Sequence, residues 1–292
     1  MTILSFLAAP FVASLVIAGI HAYLGVHVVE RGVIFVDLSL AQIAAFGATV
    51  AILLPWSAGD PHAPSVYLVS VLFTVVGAAI FATIRSRRAH IPQEAIIGIS
   101  YAVASAATIL AMSKSTSEAE HLKDMLVGNI LAVSWPEVWE TAILYTVIGA
   151  FHFVFRKRFL AISLDPEGAE RSGTSLRLWD FLFYASFGFV VTRSVAIAGV
   201  LLVFCYLIVP SVGAMLFADR IGPRLAIGWI MGSVVSALGV WLSLWLDLPT
   251  GATIVCTFGV ILILMAIART LMPHANGDIH QVGYHDVAHG QR

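Results

Sequence analysis

The chain has 292 residues, of which 59% are apolar and only 11% are charged, and its formal net charge is −1. Soluble domains carry a charge on about a quarter of their residues, so this composition excludes an ordinary soluble domain. It indicates an integral membrane protein, in keeping with a mean hydropathy of +0.93. The near-neutral charge says little about partners, and no nucleic-acid partner is expected.

Apolar stretches close to the roughly 20 residues that cross a bilayer core as a helix recur along the chain. Helices are expected because lipid offers backbone groups no other partner, and the stretches are too long and unalternating for barrel strands. The predicted fold is an all-α bundle of about eight or nine transmembrane helices over residues 1–272, followed by a polar tail over 273–292. The predicted spans are 4–29, 33–55, 66–84, 94–112, 135–155, 179–192, 196–217, 225–246 and 252–272.

The division between spans 179–192 and 196–217 is the least marked, because only Arg193 and Ser194 separate them. The distribution of basic residues gives an independent indication of topology. With nine spans, one side of the membrane holds Arg31, Arg85, Arg87, Arg88, Arg156, Lys157, Arg158, Arg171, Arg177, Arg220, Arg224, Arg269 and Arg292, and the other holds Lys114, Lys123 and Arg193. The positive-inside rule therefore predicts an outside N-terminus and a cytoplasmic C-terminus.

The first residues, MTILSFLAAPF, lack the basic segment of a cleavable signal, so the first span is expected to remain in the mature protein. The two cysteines, Cys205 and Cys256, lie in different spans and form no CxxC motif. They are expected to be packing residues rather than metal ligands.

The second predicted span, GVIFVDLSLAQIAAFGATVAILL, contains Asp37 and Gln42 among apolar residues. Helical spacing places small residues on the same helix faces as Asp37 and Gln42. These small residues form a seam that packs against another helix or lines a cavity. The Asp37 stripe continues through Ala41, Ala44 and Ala48, and the Gln42 stripe holds Leu38, Ala45 and Thr49. The carboxylate is therefore expected to point into the bundle.

Two interpretations of this pair stay open. An intramembrane acid is a candidate for an ion path, and it is equally a candidate for a buried pair, here with Arg193 or a backbone donor at a helix end. Gln42 is either a metal ligand or an interhelical hydrogen-bonding residue, the more common role of an amide in a bundle.

The longest loop of the basic side, RKRFLAISLDPEGAERSGTSLRLWD, contains the signals of a short helix. Asp165 is suited to the N-cap, Pro166 to the first helical position, Glu167 to the positive end of the helix dipole and Gly173 to the C-terminal stop. Such a helix either completes the connection at the interface or provides a surface for a partner.

Pro210 lies in the middle of a predicted span, where it removes one backbone hydrogen bond and frees the carbonyl of Tyr206. The small residues Ser211, Gly213 and Ala214 follow it and allow a neighbouring helix to approach. Pro210 is interpreted either as ordinary packing of a kinked helix or as a pivot or gate.

Histidines within the spans are isolated from one another and are expected to be satisfied core residues; these are His21, His27 and His152. His62 falls in an outer loop, where one histidine proves nothing. The tail adds a second group, which could buffer or sense metal weakly because it has no preformed geometry. Its members are His274, His280, His285 and His289.

The chain carries no G-x-x-x-x-G-K-[ST] phosphate loop and no H-E-x-x-H or G-x-S-x-G motif. No enzymatic activity is therefore expected of the chain itself. If ATP drives transport here, another subunit must hydrolyse it.

Several segments together resemble the membrane subunits of bacterial ABC importers for zinc, manganese and iron(II), although each alone would be weak. They cover most of residues 20–265. The segments are VVERGVIFVDLSLAQIAAFG, KDMLVGNILAVSWPEVWETA, LDPEGAERSG, VAIAGVLLVFCYLIVPSVGAMLFADR and LDLPTGATIV.

This resemblance implies a permease subunit of the bacterial plasma membrane that pairs with itself or a sister chain and works by alternating access. It implies cytoplasmic ATPase subunits and an extracytoplasmic metal-binding protein as partners, and a divalent metal ion as cargo rather than as a bound cofactor. The loop at 165–173 matches the family's coupling helix, which docks on the ATPase. The coupling residues are then Asp165, Pro166, Glu167, Gly168, Ala169 and Gly173.

The chain departs from the family at the metal ligands. The family usually carries an Asp in the second span and a His four residues later, and the matching positions here are Leu38 and Gln42. Asp37 is one residue from the expected place and about 140° around the helix from Gln42. Carboxylate and amide oxygens bind zinc less well than imidazole or thiolate does.

Two functions are compared on these grounds. The first is the metal-importing ABC permease, and the alternative is a self-sufficient secondary cation transporter or channel that uses Asp37 as an ion or proton relay. The capped loop helix and the lack of a detectable inverted repeat favour the first. An intramembrane enzyme is a more remote third possibility, because the sequence offers no nucleophile and base.

Overall fold

The computed structural model describes residues 3–54, 63–84, 92–113, 128 and 130–272. Within these ranges the chain is helical and forms no strand. The α-helices are α1 (Ile3–Glu30), α2 (Val36–Leu53), α3 (Pro64–Ile84), α4 (Gln93–Met112), α5 (Trp135–Val154), α6 (Arg156–Leu164), α7 (Pro166–Arg171), α8 (Leu176–Ala198), α9 (Val200–Met215), α10 (Ile221–Leu246) and α11 (Thr250–Leu271).

Long apolar helices form most of the molecule. Among the described helices, α1, α2, α3, α4, α8, α10 and α11 are each long and apolar enough to cross a bilayer. Helix α5 continues into α6 through a bend of 73°, and α9 is a shorter apolar helix of 16 residues. The predicted all-α membrane bundle is therefore confirmed.

The division between α8 and α9 lies at Gly199, so the predicted boundary at Arg193 and Ser194 was wrong. Both residues are inside α8, which continues to Ala198. Gly199 has a φ of +76°, a backbone conformation that glycine adopts without the steric cost of a side chain. The charge of Arg193 suggested a connection because a lone arginine is costly in lipid.

Ion pairs show that α8 and α9 cross the bundle in opposite directions. Asp180, near the start of α8, pairs with Arg31, which follows α1. Arg224, in the first turn of α10, pairs with Glu30, the last residue of α1. The start of α8 and the end of α9 therefore lie at the same end of the bundle, and Gly199 lies at the other.

Basic side chains concentrate at the end of the bundle where α1 terminates, which we call the basic end. In the described part of the chain, only Arg193 lies toward the opposite end. The residues of the basic end are Arg31, Arg156, Lys157, Arg158, Arg171, Arg177, Arg220, Arg224 and Arg269.

Two groups of helices meet around α1 and α2. Helix α1 packs against α5, α9 and α10, whereas α2 packs against α3, α4 and α8. Gly25 allows α1 and α9 to approach closely, since a Cβ at this position would collide with the Leu207 carbonyl and the Ser211 hydroxyl. At Gly19, on the same helix, no atom lies within 4 Å of an added Cβ.

Gly25→Ala should lower the melting temperature of the purified protein, because its methyl group must push α9 away from α1. Overpacking of this kind costs about 1–3 kcal/mol. Gly19→Ala is the matched control and should be neutral or slightly stabilising, because alanine favours a helix over glycine by about 1 kcal/mol. Equal melting temperatures for the two variants would contradict the close contact.

Candidate functional site

The Asp37 carboxylate is the most unusual polar group of the interior. It lies in the first turn of α2, and its side chain is fully buried. Neither Oδ1 nor Oδ2 has a hydrogen-bond partner among the described residues. The prediction that Asp37 points into the bundle is confirmed. Burial of a polar group without a hydrogen-bond partner is costly.

Other helices bring polar groups toward Asp37. The Tyr145 hydroxyl of α5 and the Cys205 thiol of α9 lie within electrostatic range of the carboxylate. Tyr145 is held in place by hydrogen bonds to α8, one to a backbone carbonyl at 3.1 Å and one to the Ser194 hydroxyl. The ring of His21 meets the Tyr145 ring edge-on, with centroids 6.4 Å apart.

His21 is only half satisfied. Its Nδ1 lies 2.9 Å from the Ile17 carbonyl and must donate a proton to it, which leaves Nε2 as the ring's acceptor. Nε2 is buried and has no partner among the described residues. The expectation that His21 is a satisfied core residue is therefore wrong for this nitrogen, and it is wrong in the same way for His27, whose Nε2 is also buried without a partner among the described residues.

The small residues of α2 form the predicted seam. Ala41, Ala44 and Ala45 are buried with Asp37, and Gln42 is 6% exposed. The Gln42 side chain makes no hydrogen bond with the residues that the structure describes, so its interpretation as an interhelical hydrogen-bonding residue is not supported within one chain.

Asp37 and Gln42 leave α2 in different directions. The helix is continuous from Val36 to Leu53, without a bulge that would bring the two side chains together. Leu38, at the family's Asp position, packs against the hydrophobic core. Among the described residues, no three His, Cys, Asp or Glu side chains are grouped so that they could hold a metal ion.

Arg193 does not pair with Asp37, which excludes that interpretation of the carboxylate. Its Nη2 donates to Glu140 at 2.8 Å, and its Nε donates to the Thr141 hydroxyl at 3.0 Å. Because Glu140 is at the start of α5, this pair lies toward the end of the bundle opposite Arg31. Asp37 therefore remains without a cationic partner in the described part of the chain.

A buried ion pair closes the basic end of the bundle. Arg31 Nη1 lies 2.7 Å from Asp180 Oδ1, and the two side chains are 1% and 0% exposed. The guanidinium also lies over the Phe183 ring, with Cζ 3.9 Å from the centroid. The pair joins the connection between α1 and α2 to the start of α8.

Ser163, the penultimate residue of α6, connects this pair to α1. Its hydroxyl donates to the Phe159 carbonyl at 2.9 Å and accepts from Arg31 Nε at 2.9 Å. His27 Nδ1 lies 2.8 Å away, and the hydroxyl's one proton is already used, so His27 must donate. We call Arg31, Asp180, Ser163 and His27 the basic-end network.

His152 is a satisfied core histidine, as predicted. Its Nε2 lies 2.8 Å from the Ser186 hydroxyl, and its Nδ1 lies 3.3 Å from the Tyr23 hydroxyl. Because the Ser186 hydroxyl donates to backbone carbonyls of α8, His152 Nε2 donates and Nδ1 accepts from Tyr23. The ring also stacks on Phe159 at 4.3 Å between centroids.

The short helix predicted in the loop is present as α7. Asp165 Oδ1 accepts from the Gly168 amide at 2.8 Å, which caps the N-terminus, and Pro166 is the first helical residue. Glu167 is in the first turn, and Gly173 ends the turn after the helix with a φ of +82°. Because α7 begins three residues after Ser163, it adjoins the basic-end network.

Pro210 is buried inside α9 and lies against Gly228 of α10. Ser211, Gly213 and Ala214 are buried too, in keeping with the close approach predicted for them. The role of Pro210 as a pivot or gate stays a prediction. The four tail histidines and His62 lie outside the described residues.

The basic-end network is the structural feature that the sequence alone did not indicate. A signal was available, because Asp180 is an acid just inside a predicted span and therefore demands a buried partner. Ser163 offered no such signal, since its importance comes from three contacts that only the fold brings together.

Comparison with known proteins identifies close counterparts of this architecture. The profile of the ABC 3 transport family matches residues 4–269. The "Manganese transport system membrane protein MntC" of Listeria monocytogenes is 22% identical over 86% of both chains. The "Chelated iron transport system membrane protein YfeC" of Yersinia pestis is 25% identical over 83% of this chain and 79% of its own.

A solved structure has the same fold. The structure titled "PsaBC from Streptococcus pneumoniae in complex with Fab" matches with a TM-score of 0.74 at 22% identity. The match covers 89% of this chain and 90% of the other.

Asp180→Ala should destabilise the protein by about 3–5 kcal/mol, because it leaves the Arg31 charge buried and uncompensated. Glu140→Ala is the control, since it removes the acid of an Arg pair whose Glu side chain is 68% exposed. That loss should stay below about 1 kcal/mol. Thermal unfolding of both purified variants measures the difference, and similar losses would contradict the role of burial at Arg31.

Proposed function

The chain belongs to the ABC 3 transport family, and from this premise we propose that it is the permease subunit of an ATP-driven importer for a divalent metal ion. The observation that carries the proposal is the buried Asp37 carboxylate, whose two oxygens have no partner among the described residues. Burial of an unpaired acid inside a membrane bundle is costly and marks an ion path. The family favours this function over a self-sufficient transporter.

The proposed cargo is a first-row divalent metal ion. The relatives are named for manganese and iron transport. Asp37 and Gln42 supply oxygen atoms, which suit manganese better than zinc. Manganese or iron(II) is therefore the preferred cargo, and zinc is the less favoured member of the three.

Two copies of the chain would enclose the proposed path, and because Asp37 is fully buried within one copy, α2 must move to open the carboxylate to the path. One chain contributes a single buried acid to this region, and its described residues hold no complete ligand group. A second permease copy, lining the same path with its own α2, would double the donors available to a passing ion. An extracytoplasmic binding protein would deliver the ion to this dimer.

The proposed contact with the ATPase is α7. It is short, capped at both ends and exposed at Glu167. The basic end would then face the cytoplasm, as the positive-inside rule requires, with the N-terminus outside. Asp165, Pro166, Gly168, Ala169 and Gly173 would shape the contact rather than bind metal.

The basic-end network would carry movement of α7 to the metal path. Ser163 lies two residues before Asp165, the N-cap of α7, and its hydroxyl holds Arg31, which begins the connection into α2. Asp37 follows in the first turn of α2. A shift of α6 and α7 driven by ATP would therefore displace the start of α2 and change access to Asp37.

Asp37→Asn should abolish metal uptake by proteoliposomes that contain the complete transporter, because the amide keeps the shape of the side chain and removes its charge. Assembly and yield should be unchanged. Asp247→Asn, at an exposed position of the opposite end, is the control and should retain uptake. Full uptake by Asp37→Asn would show that Asp37 is not part of the metal path.

Ser163→Ala should reduce the number of metal ions moved per ATP hydrolysed by about fivefold or more, the scale of a typical coupling energy. The variant loses the hydroxyl that holds Arg31 and His27. Ser100→Ala is the control, since that hydroxyl also donates to a carbonyl four residues back and has no second contact among the described residues. An unchanged ratio in Ser163→Ala would contradict this link.

A further inference from the structure

The connection between α5 and α6 forms an elbow at the basic end of the bundle. Helix α5 has 20 residues, about the length that crosses a bilayer core, and α6 leaves it at 73°, which turns α6 toward the plane of the membrane. Phe159, Ile162 and Ser163 bury one face of α6 against the bundle. The elbow therefore lies where the bilayer interior meets its polar surface.

Three consecutive cations line this elbow. Arg156, Lys157 and Arg158 are all exposed, and none of them forms an ion pair within the described part of the chain. They also occupy the first turn of α6, whose backbone dipole adds positive charge. The local charge is therefore positive, and no described residue forms an ion pair with these cations.

The two arginines are held in position by neighbouring aromatic rings. The Arg156 guanidinium lies 4.4 Å from the Phe153 centroid and donates to the Phe153 carbonyl at 3.1 Å. The Arg158 guanidinium lies 4.9 Å from the centroid of the buried Trp179 ring. Their conformational freedom is thus already reduced before any anion binds.

An apolar wall adjoins the cations. Phe153 and Val154, in the last turn of α5, are 66% and 69% exposed. The cavity at the elbow has a volume of about 350 Å³ and is lined by Val154, Phe155, Arg156, Lys157 and Arg158. The cavity lining therefore combines apolar side chains, which suit hydrocarbon, with cationic side chains, which suit a negative charge.

We propose that the elbow is a binding site for an anionic phospholipid, with its phosphate on Arg156, Lys157 and Arg158 and an acyl chain along Phe153 and Val154. Charge complementarity selects an anionic headgroup, because basic residues are attracted to an anionic lipid surface. The exposed apolar wall selects a lipid over a soluble phosphate. The bound lipid would hold α6 in place at Arg158, which lies seven residues before Asp165, the N-cap of α7.

Lipid binding at the elbow depends on a membrane location and not on the transport activity. The test is therefore a binding measurement on the purified full chain in mild detergent. Native mass spectrometry would compare retention of phosphatidylglycerol with that of phosphatidylcholine of the same acyl chains. The variant Arg156→Gln/Lys157→Gln/Arg158→Gln should lose about tenfold or more of the phosphatidylglycerol retention, while phosphatidylcholine stays unchanged.

The matched control is Arg177→Gln/Arg220→Gln/Arg269→Gln, which removes the same charge from exposed positions of the same end. It should retain phosphatidylglycerol within about twofold of the unaltered chain. The variant Arg156→Lys/Arg158→Lys keeps the charge and should retain most of the phosphatidylglycerol binding. Such retention would show that the glutamine variant loses binding through its lost charge and not through misfolding.

Three outcomes would overturn the site. Equal retention by the glutamine variant and the unaltered chain would show that the elbow does not bind the lipid. An equal loss in the matched control would show only a general attraction of the basic end for anions. Displacement of the lipid by millimolar inorganic phosphate would indicate an anion site without a role for the acyl chain.

Discussion

The buried ion pair between Arg31 and Asp180 is the interaction on which the organisation of the basic end depends. Two charges removed from water are tolerated only because each satisfies the other, with further support from the Phe183 ring and the Ser163 hydroxyl. The pair fixes the connection between α1 and α2 to the start of α8. The position of α2, and of Asp37 on it, follows from this attachment.

Asp37 presents the opposite case, because its buried carboxylate has no partner among the described residues. Such a group reduces the stability of the fold, and stability alone does not explain it. The Ala-rich seam of α2 lies in the same interior, as does the Nε2 of His21, which also has no partner among the described residues. A cation that reaches Asp37 would find an acceptor that no described residue occupies, which is the physical basis of the proposed import function.

The sequence predicted the fold class, the caps of α7 and the burial of Asp37, because each depends on local spacing or on the demands of lipid. The predicted start of α9 is wrong, because the charge of Arg193 indicates a connection there. The connection lies at Gly199, which has the required backbone conformation. The sequence also offered Arg193 as a partner for Asp37, whereas the fold gives Arg193 to Glu140. The basic-end network joins residues more than 130 positions apart in sequence, so no local pattern could reveal it.

On the proposed function, a separate ATPase drives this permease through α7. Affinity purification from native membranes would compare the unaltered chain with a variant in which residues 165–173 are replaced by a flexible linker of equal length. We predict that an ATPase co-purifies with the unaltered chain and is lost from the variant, while the variant itself stays folded. A chain that purifies without an ATPase and still moves metal ions in liposomes would show that transport does not depend on this contact.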